Sequence, residues 1–347
     1  MTAVDASASA RNGRVAGATD PGGDEAGGAV RSYHGQPVLK EPVWTWEIPC
    51  YFFSGGLAGA SAGLAYLVEL RGNKVLGRRA WAISMAGVIA SPALLISDLG
   101  RPARFLNMLR MFKPTSPMSV GSWILTASGA TTSLSAINAW TGLFPTSAKV
   151  AKPAAALLGL PLSSYTAALV ANTAIPVWHE SHRTLPFMFA SGAALSAAAA
   201  AVATTPPDHA AQARRLALIA ALCEGASNEV MRKALGDQAQ PYKTGLASHL
   251  GDLSRGCAVT GTALLARRGS RSRAAAALAG GLLLAAALGR RWSVFKAGVQ
   301  GASSPEHVIA PQRQRVDRGE ARGAARRQAN VSTPDHELAS PATSPSA

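Results

Sequence analysis

Long apolar runs separated by short polar ones set the first expectation. Runs of about 20 residues fall near 48–70, 80–97, 119–144, 154–178 and 185–203, each the length a helix needs to cross the hydrocarbon of a bilayer. Three shorter or more polar runs follow near 213–234, 250–266 and 274–289; the first of these carries Glu224 and Glu229, and the last two are Ala-rich and separated by R-R-G-S-R-S-R. The pattern predicts an all-α, polytopic transmembrane helix bundle of about eight helices, with seven as the alternative. No connection exceeds about 20 residues, which leaves no soluble domain between the runs. Small residues crowd the helices, as in G-G-L-A-G-A-S-A-G-L-A and S-G-A-A-L-S-A-A-A-A-A. They let backbones approach closely where lipid gives no hydrophobic incentive to associate.

Composition agrees with a membrane protein: of 347 residues, 48% are hydrophobic and only 15% charged. Polar ends flank the apolar middle. Residues 1–40 and 301–347 are rich in Gly, Ala, Ser, Pro and Arg, cannot bury enough apolar surface to order themselves, and are expected as disordered tails around a transmembrane domain at 41–300. The N-terminus lacks a charged segment followed by an apolar one, so no cleavable signal peptide is expected.

The formal net charge of +15 raises nucleic acid as a partner, but its distribution argues against that. Basic residues sit in short clusters between apolar runs (Arg71, Lys74, Arg78, Arg79; Arg267, Arg268, Arg271, Arg273) and form no interleaved aromatic and basic face. They read as loops at a membrane surface. With eight crossings, the side away from the termini is the more cationic, so the positive-inside rule predicts a cell-membrane protein with both termini extracytoplasmic. Cys50, Cys223 and Cys257 are far apart with no C-x-x-C pair; they offer no iron–sulfur or zinc ligand set and are expected as small buried side chains.

Polar residues converge at one end. The first helix starts on the terminal side and the second returns to it, so Glu47, Tyr51, Asp98, Trp178, His179 and Glu180 share that end of the bundle. Glu47 and Tyr51, four apart, lie on one helix face. With Asp98 and the Arg101/Arg104 pair they offer donors, acceptors and a proton-exchanging carboxylate beside apolar walls, which suits a ring carrying two carbonyl or hydroxyl groups, such as a quinone. Plainer roles stand beside this one. Asp98 can close a turn and pair with Arg101 or Arg104 ahead of a short interfacial helix begun at Pro102. Trp44, Trp46 and Trp178 suit an interfacial belt, His179 and His182 a solvated helix end, and Tyr165 a hydrogen bond to a backbone carbonyl. Glu224 and Glu229 raise an ion- or proton-conducting transporter as an alternative function, and a purely structural membrane anchor is another. None of the seven histidines falls inside a confident span, which predicts no haem held between helices. No G-x-x-x-x-G-K-[ST] loop supports an ATP-driven role.

Four segments, V-W-T-W-E-I-P-C-Y-F-F-S-G-G-L-A-G-A-S-A-G, L-L-I-S-D-L-G-R-P-A-R-F-L-N-M-L-R-M-F-K-P-T-S-P-M-S-V-G-S-W-I-L, S-Y-T-A-A-L-V-A-N-T-A-I-P-V-W-H-E-S-H-R-T-L-P-F-M-F and G-R-R-W-S-V-F-K-A-G-V-Q-G-A-S-S-P-E-H-V-I-A-P-Q-R, resemble the NrfD / polysulfide reductase membrane-subunit family from about residue 42 to 313. The D-L-G-R-P-x-R-F turn followed by S-P-M-S-x-G-S-W is the specific part. The resemblance implies a subunit that binds exchangeable menaquinone or ubiquinone, holds no haem or iron–sulfur cluster, and exchanges electrons with an iron–sulfur subunit attached to a molybdopterin-type catalytic subunit. It further implies a quinone pocket at Glu47, Tyr51, Asp98 and Tyr165, with Asp98 and Glu47 handling protons.

Overall fold

The computed structural model describes Leu39, residues 42–101 and residues 103–303; the tails expected at 1–40 and 301–347 lie almost wholly outside these. All regular structure among the described residues is helical: α1 (Glu47–Leu70), α2 (Lys74–Asp98), α3 (Arg104–Arg110), α4 (Pro117–Thr141), α5 (Pro145–Ala171), α6 (Pro176–His179), α7 (Leu185–Thr204), α8 (Ala211–Leu235), α9 (Gly245–Arg268) and α10 (Arg273–Ser303). With α3 and α6 as short connecting pieces, the eight long helices are those expected. The chain is a multi-pass membrane protein: α1, α2, α5, α7 and α10 are long and apolar enough to cross a bilayer. Helices α4, α8 and α9 are as long but carry no stretch that is apolar enough by the same measure. In α4 the polarity is largely hydroxyls turned back on the preceding turn, Thr126 to the Ser122 carbonyl at 2.8 Å and Ser135 to the Thr131 carbonyl at 2.7 Å, so these groups do not stand unpaired.

Several boundaries differ from the apolar pattern, and three of them have a clear local reason. Helix α2 begins at Lys74, so Arg78 and Arg79 are helical and not loop; Asn73 caps it by accepting from the Leu76 amide at 3.1 Å. The fourth run splits at 172–175 because Pro176 forces Ile175 into extended backbone before α6 can start. Helix α10 runs 14 residues past the expected stop at 289. Its Arg290 and Arg291 are buried with partners, so their charges do not end the span.

Glycines let the helices close. A methyl group at Gly59 of α1 would lie 2.4 Å from the Gly159 carbonyl oxygen of α5, and one at Gly280 of α10 would lie 2.6 Å from the Ala199 carbonyl oxygen of α7, so backbone meets backbone at both crossings. The core divides by height. At the end where α1 begins it is aromatic, with Tyr51, Phe52, Trp178 and Phe189 fully buried; at the other it is mostly Ala and Leu around Trp81. No cysteine is fully buried as expected: Cys50 and Cys257 are partly exposed and Cys223 lies on the outer face.

Candidate functional site

Asp98 ends α2, and the chain leaves through a turn at Gly100, whose φ of 66° favours glycine. This sets the acid beside the start of α1. Thr45, just before α1, donates its hydroxyl to the Glu47 carboxylate and lies 3.2 Å from Asp98 Oδ1. One hydroxyl carries one proton, so it donates to only one of the two carboxylates at a time. Glu47, Thr45 and Asp98 thus form a short chain of hydrogen-bonding groups.

Next to this chain lies a cavity of about 50 Å³ lined by Tyr51, Asp98, Met108, Met118, Ser122 and Tyr165 among others. The two tyrosine rings meet edge to face with centroids 6.5 Å apart. Neither hydroxyl has a hydrogen-bond partner among the described residues, although a tyrosine hydroxyl in apolar surroundings ordinarily finds one. The S-P-M-S-V-G-S-W segment builds the facing wall: Ser116 caps α4, Pro117 opens it, and Met118 and Ser122 reach the cavity. A methyl group on Gly121 would fall 2.2 Å from the Tyr165 ring, so the glycine of that motif makes room for the tyrosine.

Of the residues expected at the site, Tyr51, Asp98 and Tyr165 line the cavity and Glu47 joins it through Thr45. Three do not. Arg101 and Arg104 are exposed; Arg104 reaches the Leu99 carbonyl at 3.5 Å, and no ion pair to Asp98 forms among the described residues. Pro102 lies outside the described residues. His179 is exposed with Nδ1 3.3 Å from the Ala171 carbonyl. Trp178 is no belt residue: it is fully buried, stacks on Trp44 at 5.7 Å and donates Nε1 to the Val294 carbonyl at 2.9 Å. Gly298 of α10 allows this, since a methyl group there would lie within the indole. Thr45, Met108, Met118, Gly121 and Ser122 went unnoticed in the sequence as site residues; the T-x-E spacing ahead of α1 was the available signal for Thr45.

The carboxylates of α8 are both engaged. Glu224, 2% exposed, accepts from Arg290 Nε at 3.0 Å. Neighbouring Arg291 is buried, donates to the Phe189 carbonyl and sits 3.9 Å over the Phe189 ring. Glu229 pairs with Arg255 at 3.3 Å on the outside.

A comparison with curated proteins found no match. A family model described as polysulfide reductase, of the NrfD type, matches residues 31–303, a span that takes in all ten helices and every residue of the cavity. By that match, over most of its length, the chain belongs to the NrfD polysulfide reductase family.

Proposed function

We propose that this chain is the quinone-reactive membrane subunit of an oxidoreductase complex, taking electrons from quinol, or returning them, across the surface where α1 begins. The observation that carries this reading is the pair of unpartnered tyrosine hydroxyls beside Asp98 in one cavity. Quinol oxidation supplies two electrons and two protons. The electrons leave to a docked iron–sulfur subunit, in turn attached to a molybdopterin-type catalytic subunit, in keeping with the family. Tyr51 and Tyr165 orient the ring oxygens, Asp98 accepts the two protons one after the other, and Thr45 and Glu47 relay each outward; quinone reduction runs the same residues in reverse. Menaquinone and ubiquinone both present the chemistry these groups recognise.

The donor set and apolar walls fit such a ring, while about 50 Å³ falls well short of the roughly 150 Å³ of a cavity that holds benzene. Admission of the ring therefore requires the cover to move. Helix α3 supplies it: Met108 lies on the cavity, yet no residue of α3 is buried, so its displacement exposes little apolar surface. The same reading locates the protein in the cell membrane with its termini extracytoplasmic. Support comes from Arg71, Lys74, Arg78, Arg79, Lys149 and Lys152 at the opposite end, and reporter fusions at residue 1 and residue 347 check it.

Trp44 lines the cavity and reports on it. Titration of the purified protein with a quinol analogue is expected to quench tryptophan emission saturably, with affinity reduced at least about tenfold in a Tyr51→Phe/Tyr165→Phe double variant, by the loss of two hydrogen bonds of about 1 kcal/mol each. Emission unaltered over a wide concentration range contradicts the reading.

A further inference from the structure

A second cavity opens at the same end of the bundle, between α8, α9, α10 and a 3₁₀ turn at Gly236–Tyr242. It encloses about 250 Å³, room for a hydrated tetrahedral anion when a water takes about 30 Å³. Its wall is cationic. Arg232 comes from the last turn of α8, Lys243 from the residue after the 3₁₀ turn, Arg255 from α9 and Arg290 from α10; Asp252, which accepts from Ser248 at 3.5 Å, is the opposing acid on the wall. Pairing does not use up this charge. Arg255 is held by Glu229 and Arg290 by Glu224, but Arg232 and Lys243 have no side-chain partner among the described residues. Arg290 engages Glu224 through Nε, and its Nη1 lies 3.9 Å from where a side chain on Gly251, itself on the cavity wall, would begin.

Tyr242 is the independent sign of something absent. It lines the cavity, is 8% exposed, and its buried hydroxyl has no partner. Burial pushes this phenol above its usual range, with Arg290 pulling the other way, so it stays protonated and acts as a donor. A buried donor without an acceptor is costly and rare. Guanidinium and ammonium groups only donate, so the neighbouring cations cannot satisfy it in that way. Ser248 and Gly251, in the first two turns of α9, complete the wall beside Tyr242.

We propose that this cavity binds a phosphate-type anion, whose oxygens accept from Tyr242, Arg290, Arg232 and Lys243. Arginine forks and a lysine point charge match phosphate oxygens. That chemistry comes either from a phospholipid headgroup, which the position at the ends of two long helices brings within reach, or from free phosphate. The full-length protein, stripped of lipid in detergent, is titrated in separate arms with inorganic phosphate, short-chain phosphatidylglycerol and short-chain phosphatidylcholine, and binding is read by calorimetry. Saturable binding of phosphatidylglycerol with phosphate silent assigns a headgroup site; binding of phosphate itself assigns the free ion. Either is expected to weaken about tenfold in Arg232→Gln, the loss of one charge-assisted hydrogen bond, and about threefold in Tyr242→Phe, which removes the orphaned hydroxyl and keeps the packing if the first variant folds poorly. Binding of neither anion, equal binding of phosphatidylcholine, or affinity unchanged in Tyr242→Phe and in every folded Arg232→Gln preparation overturns the proposal.

Discussion

Helix α1 has acids at both ends, and their surroundings differ. Glu69, near its end, is saturated: Lys152 lies 2.9 Å from one oxygen and Trp81 Nε1 donates to the other at 3.0 Å. Gly77 leaves the space its stem occupies, since a methyl group there would lie 2.5 Å from Glu69 Cγ. The packing around it is filled by Ala65, Ala80, Ala155 and Trp81. Glu47, at the start, shares a single threonine hydroxyl with Asp98, and it is Asp98 that lines the cavity. The first carboxylate has both oxygens engaged by donors, whereas the other two divide one donor beside an opening, which is the contrast on which the proposed proton role of Asp98 rests. Their number in a membrane helix says little until their partners are counted.

Substitutions break or sharpen this contrast, the largest effect first. Glu224 is the most buried acid of the set, and Glu224→Ala strands Arg290 and Arg291, which are 7% and 2% exposed. The expected loss is about 3–5 kcal/mol, the cost of an uncompensated buried charge, read as a lower melting temperature in detergent. Gly121→Ala acts on the site and spares the backbone: the new methyl group displaces the Tyr165 ring, an overpacking worth about 1–3 kcal/mol, and quinol-analogue affinity is expected to fall about tenfold. Thr45→Val removes the shared hydroxyl, one hydrogen bond of about 1 kcal/mol, and is expected to slow quinol turnover about threefold with assembly unchanged. Glu69→Gln is the mildest for turnover. Its pair with Lys152 is only about one-fifth exposed, so the loss falls on stability, about 1.5–3 kcal/mol for a hydrogen bond to a charged group, and turnover per assembled complex stays at the wild-type level.

The helices were legible because about 20 apolar residues have few other uses, and the family resemblance was legible in the D-L-G-R-P turn and the S-P-M-S-V-G-S-W segment. The end of α10 was not, since two adjacent arginines read as a membrane boundary unless Glu224 and the Phe189 carbonyl, distant in sequence, are known to receive them. Tyr51 and Asp98 could be placed together from helix periodicity and up-and-down topology, whereas Tyr165 was brought to them only by the family resemblance. Arg101, Arg104 and His179 stood equally near in sequence, but periodicity does not tell which way side chains turn at a helix end, and these three point outward. The second cavity had no signature at all. Arg232, Lys243 and Arg255 resemble membrane-surface charges until α8, α9 and α10 bring them around Tyr242.

The account rests most heavily on the claim that Asp98 exchanges a proton with bound quinol while Glu69 does not. Quinol oxidation per assembled complex, followed with a soluble electron acceptor, measures this in Asp98→Asn and Glu69→Gln side by side. Both changes keep the size of the side chain, remove the ionisable group and exchange one acceptor oxygen for an NH2 donor. A fall of at least about tenfold in Asp98→Asn, the lower range of general acid–base effects, with Glu69→Gln at the wild-type rate, is the predicted result; normal turnover in Asp98→Asn at normal assembly contradicts it.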